Sequence, residues 1–123
     1  MVAKLKENKG FLKNELEVQV KDLKQWMSED TGVVLIDVRE PDEHEICHIK
    51  GAVLIPLDKL LDGSSEKISA LDKEASTVVH CHHGGRSAKA VSFLHAQGFS
   101  QVRNLHGGID AWALEVDPAM TRY

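Results

Sequence analysis

The stretch Val78-Val79-His80-Cys81-His82-His83-Gly84-Gly85-Arg86-Ser87 joins the end of an apolar strand, a cysteine, a glycine-containing turn and the start of a helix. Residues 77–79 are short and β-branched, as a strand buried on both faces reads. Over residues 86–97, Ala90, Val91 and Leu94 fall on one stripe and Gly98 follows as a stop, which predicts a helix. A strand that turns tightly into a helix is the building unit of parallel sheets, because the crossover helix packs back onto the sheet.

The same grammar extends outward. Residues 33–38 and 52–55 repeat the apolar strand signature, residues 101–105 supply a last strand, and residues 17–20 alternate like a short, half-buried one. Between them, residues 22–28 place Leu23, Trp26 and Met27 at helical spacing before Asp30-Thr31-Gly32 stops the helix. Glu40-Pro41-Asp42-Glu43 opens another helix, with proline suited to the first turn and carboxylates at the positive end of the dipole. Short helices are expected at residues 57–61, at residues 65–71 with Ser65 as N-cap, and after Gly107-Gly108, where Trp112 is carried as a packing anchor. The expected fold is α/β: a central parallel, mostly five-stranded sheet with helices on both faces. Residues 1–16, charge-mixed and interrupted by Gly10, read as a loosely attached extension to a single domain over residues 17–123.

Composition narrows the function classes. The chain has 123 residues, 15 basic and 19 acidic, for a formal charge of −4, and is 42% hydrophobic and 28% charged. That suits one soluble globular core and excludes dominant disorder. No apolar run approaches the roughly 20 residues that span a bilayer, and the N-terminal residues carry neither an apolar signal core nor the arginines of a transit peptide. Mild acidity leaves no electrostatic footprint for nucleic acid. Two cysteines cannot form a disulfide framework, so a reducing, cytoplasmic setting is expected, with any thiol chemistry falling to Cys47 or Cys81.

Cys81 has the surroundings of a nucleophile. Ligands of open α/β sheets bind at the carboxyl ends of strands, where loop amides and a helix N-terminus converge on an anion. Gly84 and Gly85 permit the tight curvature. Such a setting lowers a thiol from about 8.5 to roughly 3.5–7.5, and Arg86, with His82 or His83 when protonated, adds positive charge beside it. An arginine at the unfavourable end of a helix needs a partner, either a bound anion or a nearby carboxylate.

The chain resembles the rhodanese homology domain over residues 18–112. Leu35-Ile36-Asp37-Val38-Arg39-Glu40-Pro41-Asp42-Glu43 is similar to the family's first signature, and His48-Ile49-Lys50-Gly51-Ala52 with Ile55-Pro56-Leu57 to its second. Residues 81–87 resemble the active-site loop, and Leu105-His106-Gly107-Gly108-Ile109-Asp110-Ala111-Trp112 the closing Gly-Gly-x-x-x-Trp signature. The resemblance implies a sulfurtransferase in which Cys81 takes a sulfane sulfur from thiosulfate or a persulfide donor and passes it to cyanide or a thiol by ping-pong kinetics. Residues His82, His83, Gly84, Gly85, Arg86 and Ser87 would form the substrate and persulfide loop, with Asp37 and Arg39 in support. It implies no metal or organic cofactor, and as partners small sulfur donors and acceptors or a protein persulfide. Residues 107–123 are also similar to the end of rhodanese domains fused to E1-like adenylyltransferases of molybdopterin and thiolation pathways.

Several alternatives are set against this reading. A non-enzymatic sulfur-carrier or interaction module is weakened by the retained cysteine, glycines and arginine. A cysteine phosphatase or arsenate reductase is disfavoured because four residues, not five, separate Cys81 from Arg86. Zinc is disfavoured because adjacent residues such as His80, Cys81, His82 and His83 seldom converge on one ion. Cys47 stands where the family usually has glycine, and Lys50 where it has proline; Cys47 reads as a small apolar filler at a helix end rather than a resolving thiol. Asp37 and Arg39 read as a structural ion pair. His80 reads as a hydrogen-bonded core residue, and His44, His95 and His106 as surface or packing positions.

Overall fold

The computed structural model describes residues 16–123; the expected extension lies almost entirely outside them. The elements run β1 (Glu17–Val18), α1 (Val20–Ser28), β2 (Val34–Asp37), α2 (Pro41–Ile46), β3 (Val53–Leu54), α3 (Leu57–Asp62), a 3-10 turn (Ile68–Ala70), β4 (Thr77–His80), α4 (Gly85–Ala96), β5 (Val102–Leu105) and α5 (Gly108–Glu115). The five strands form one sheet in the order β1-β5-β4-β2-β3, and every neighbouring pair is parallel. The expected architecture is therefore present.

Side-chain alternation explains why the central strands are apolar throughout. Leu35 and Val78 face one layer, with Val20 and Leu23 of α1 and Ile109 and Trp112 of α5. Ile36 and Val79, one residue on, face the other, with Leu60 of α3 and Ala90, Val91 and Leu94 of α4. A strand sandwiched between two helical layers has no wet face, so both parities must be hydrophobic. Among the described residues no helix is long and apolar enough to cross a membrane.

Two local expectations are corrected. The first strand stops at Val18, because α1 begins at Val20, where the Leu23 amide bonds Gln19 O at 3.1 Å. Val20 and Leu23, three apart, then bury one helical stripe. The helix expected over residues 65–71 shrinks to the 3-10 turn. Polar side chains take the preceding amides into turns, with Ser64 N bonding Asp62 Oδ1 at 2.8 Å and Lys67 N bonding Ser65 Oγ at 3.3 Å.

Candidate active site

β4 is the middle strand, and all four of its residues are buried. Cys81 follows at its carboxyl end, 2% exposed, on the same parity as Val79 and in the same apolar layer. The chain then turns through His82, His83 and Gly84 into α4. Gly84 takes φ +128°, a conformation closed to most side chains; Gly85 is already helical.

This turn points amides at sulfur. Gly84 N–H donates to Cys81 Sγ at 3.1 Å, and Ser87 Oγ lies 3.4 Å from it. Burial alone pushes the thiol up, but the Ser87 hydroxyl and the amides of Ser87, Gly84 and Arg86 outweigh it, leaving Cys81 below the ordinary thiol value. The single Ser87 proton is shared, since Asn104 Oδ1 and Gly84 O also lie within its reach. Asn104 projects from β5, and its amide nitrogen donates to Gly84 O at 3.2 Å, bracing the turn from the neighbouring strand.

A second brace comes from α5, whose first amides cap the loop. Ile109 N donates to Cys81 O at 3.0 Å and Asp110 N to His82 O at 3.1 Å. Gly108 makes this approach possible: a Cβ there would lie 2.7 Å from Cys81 O and collide with His82 O. The Gly-Gly signature is therefore part of the site's scaffold, not only a connection into a helix.

The charged residues form a separate assembly. Arg39 is fully buried, and all five of its guanidinium protons have acceptors: Nε and Nη2 grip Asp37 at 2.9 and 2.8 Å, Nη2 also bonds Cys47 O at 2.7 Å, and Nη1 bonds Glu43 O at 3.2 Å and the Tyr123 hydroxyl at 2.9 Å. Burial would raise Asp37, but Arg39, with His80 and His44 nearby, brings it down to about 2. Asp37 and Arg39 thus form a buried ion pair. His44 is more than a surface position, because its Nδ1 lies 2.8 Å from Asp37 Oδ2. His80 is buried with Nδ1 at 3.2 Å from Cys81 O, and burial holds its protonation below the usual range.

Arg86 finds its partner in Glu43 of α2. Nη1 and Nη2 bond Glu43 Oε2 and Oε1 at 2.7 and 2.9 Å, a bidentate pair. The Arg86 guanidinium brings Glu43 to about 2 against the opposing effect of burial. The carboxylate partner expected for this arginine is thus found, and the guanidinium, although paired, still interacts electrostatically with Cys81 beside the donors that surround the sulfur. Burial and His83 lower the protonation of His82. His83 is exposed, with Nε2 at 3.8 Å from Asp110 Oδ2. Donor atoms of His82, His83 and Asp110 gather within 4.8 Å of one another, but Arg122 bonds Asp110 Oδ1 and Oδ2 at 2.9 and 3.4 Å, and the two imidazoles stack at 4.0 Å. This donor set is engaged in ion pairing and stacking.

Four contributors escape the sequence reading: Asn104, Glu43 as the Arg86 partner, His44 and Tyr123. Tyr123, the chain's one tyrosine, stacks on His82 with centroids 4.0 Å apart and donates its hydroxyl proton to Glu43 Oε1 at 2.8 Å. Its presence near the tail similarity was the available signal. Cys47 lies at the end of α2, half-buried against the α1/α5 layer, as a filler would.

Fold and site together define an α/β domain that presents one cysteine in a cradle of amides at the end of its central strand. The chain belongs to the rhodanese-like domain family, whose model matches residues 19–115. It is 41% identical over 103 residues to the probable adenylyltransferase/sulfurtransferase MoeZ of Mycobacterium tuberculosis, covering 84% of this chain and 26% of that protein. The chain thus spans about a quarter of that relative's length. Thiosulfate sulfurtransferase GlpE of Pseudomonas fluorescens is 36% identical over 83 residues, 68% of this chain and 72% of its own. Among solved structures, a rhodanese-like domain protein from Staphylococcus aureus superposes with a TM-score of 0.71 at 30% identity, covering 87% of this chain and 97% of that one.

Proposed function

We propose that this protein is a sulfurtransferase working through a Cys81 persulfide. The observation that carries the reading is the sulfur itself, buried at the end of β4 with Gly84 N–H at 3.1 Å and its proton affinity lowered by surrounding donors. A thiolate so placed attacks the outer sulfur of thiosulfate. The S–S bond of the donor breaks, sulfite leaves with the electron pair, and Cys81 keeps the transferred sulfur as Cys–S–S⁻. An acceptor such as cyanide or a thiolate then attacks that outer sulfur, and the Cys81 thiolate is regenerated. Both resting thiolate and persulfide are anions, so the amide cradle serves each half-reaction without moving. Splitting the transfer in two gives ping-pong kinetics.

Relatives named as sulfurtransferases support the general activity. A protein persulfide donor, or relay to a protein acceptor, is supported by the name of the MoeZ relative, which couples sulfurtransferase to adenylyltransferase. The free, unbridged cysteines suit a reducing, cytoplasmic setting. The test is intact mass after incubation with thiosulfate. The wild type gains one sulfur atom, cyanide removes it, Cys81→Ser takes up none and Cys47→Ser takes it up normally. An adduct that survives Cys81→Ser, or none on the wild type, overturns the assignment.

A further inference from the structure

The Tyr123 side chain touches the buried ion pair, the carboxylate that holds Arg86 and the loop that follows Cys81. Its hydroxyl accepts from Arg39 Nη1 at 2.9 Å and donates to Glu43 Oε1 at 2.8 Å, joining the buried ion pair to the carboxylate that holds Arg86. Its ring lies parallel to His82, with centroids 4.0 Å apart and an interplanar angle of 7°. The neighbouring Arg122 pairs with Asp110, whose amide bonds His82 O at 3.1 Å. His82 is thereby gripped at its ring by Tyr123 and at its carbonyl by the turn that Arg122 anchors. His82 directly follows Cys81, so a shift at His82 moves the turn whose Gly84 amide reaches the sulfur.

We propose that Tyr123 is a positioning residue for the sulfur-carrying loop, acting through its ring on His82, while its hydroxyl serves the charged assembly behind. The inference rests on the reading that Cys81 carries sulfur, and the geometry divides the side chain's two contributions. The ring faces the loop and the hydroxyl faces Arg39 and Glu43, so removing the hydroxyl leaves the ring in place, while removing the ring takes both.

The experiment compares Tyr123→Leu with Tyr123→Phe in the full chain carrying Cys47→Ser, so that Cys81 alone reports. Two quantities are read: the pH midpoint of Cys81 alkylation by iodoacetamide, and kcat against KM for thiosulfate with cyanide as acceptor. Tyr123→Leu is expected to raise the alkylation midpoint toward that of an ordinary thiol and to lower kcat about tenfold, the scale on which a displaced group costs rate. Tyr123→Phe, which keeps the ring, is expected to stay within about twofold of the parent in kcat, with its midpoint unmoved. Parent-like behaviour of Tyr123→Leu in both readouts overturns the proposal, as does Tyr123→Phe falling with it. Should Tyr123→Leu fail to fold, His82→Leu removes the same stack from the other side and must raise the midpoint; an unmoved midpoint overturns the proposal. Alkylation needs no sulfur transfer, so a wild type that takes up no sulfur defeats the functional reading while the midpoints still decide the role of Tyr123.

Discussion

The two sides of the site are built from different physics. On the α4 side, Cys81 is surrounded by neutral donors: the amides of Gly84, Arg86 and Ser87 and the hydroxyl of Ser87. On the α2 side, formal charges dominate and are paired, Asp37 with Arg39 and Glu43 with Arg86, which reaches across from α4. The donors that lower the Cys81 thiol are thus mainly neutral dipoles, to which the paired Arg86 guanidinium adds its interaction with the sulfur. The charged half holds the frame in which those dipoles point.

If that division is right, changes on the α4 side strike chemistry and changes on the α2 side strike stability first. The largest expected effect is Cys81→Ala, which removes the proposed nucleophile and should lower thiosulfate:cyanide turnover by about 10³-fold or more. Cys47→Ala, across the division, should leave turnover within about twofold; a comparable loss there would break the comparison. Next comes Arg39→Ala, which leaves the buried Asp37 carboxylate without its arginine and with His44 as its remaining side-chain bond. A loss of about 3–5 kcal/mol is expected in urea denaturation, and an unchanged midpoint would refute the structural role given to the pair.

Acid should find the same frame. Asp37 sits at about 2 in the folded protein against 3.8 for the free side chain. A depressed carboxylate adds stability that is complete above about pH 4 and lost as pH falls towards 2, worth about 2 kcal/mol in total. Melting temperature measured from pH 5 to pH 2 should fall through that window, and Asp37→Asn should flatten the fall. A smaller effect is expected from Asn104→Ala, which removes the brace on Gly84 O: turnover falls about threefold to tenfold, and the alkylation midpoint of Cys81 rises. The smallest is Glu43→Gln. Its pair with Arg86 is partly exposed, so stability should change by no more than about 1 kcal/mol, as read from the urea midpoint. A larger loss would show that the Arg86 pair belongs with the buried frame.

The legible and illegible parts of the protein separate along a physical line. The strands around Leu35–Ile36 and Val78–Val79 are readable because burial on both faces leaves a local mark, an unbroken apolar run. Cys81 and its loop are readable for the same reason, since strand end, glycine turn and helix start are consecutive in the chain. The 3-10 turn at Ile68–Ala70 and the early start of α1 depart from the periodicity because side-chain bonds to backbone amides and a buried stripe compete with it at element ends.

By itself, the sequence determined a parallel α/β domain of the rhodanese type with a cysteine at a strand end, because each of those features is written over a few adjacent residues. Only the tertiary structure decided that Arg86 pairs with Glu43, that Asn104 braces Gly84, that Gly108 lets α5 reach the loop, and that Tyr123 closes over His82. Those partners are brought together by the strand order β1-β5-β4-β2-β3 and by helices docked on its two faces. Pairing across such distances leaves no local pattern, since a charge or a ring records in the chain what it is and not what it meets.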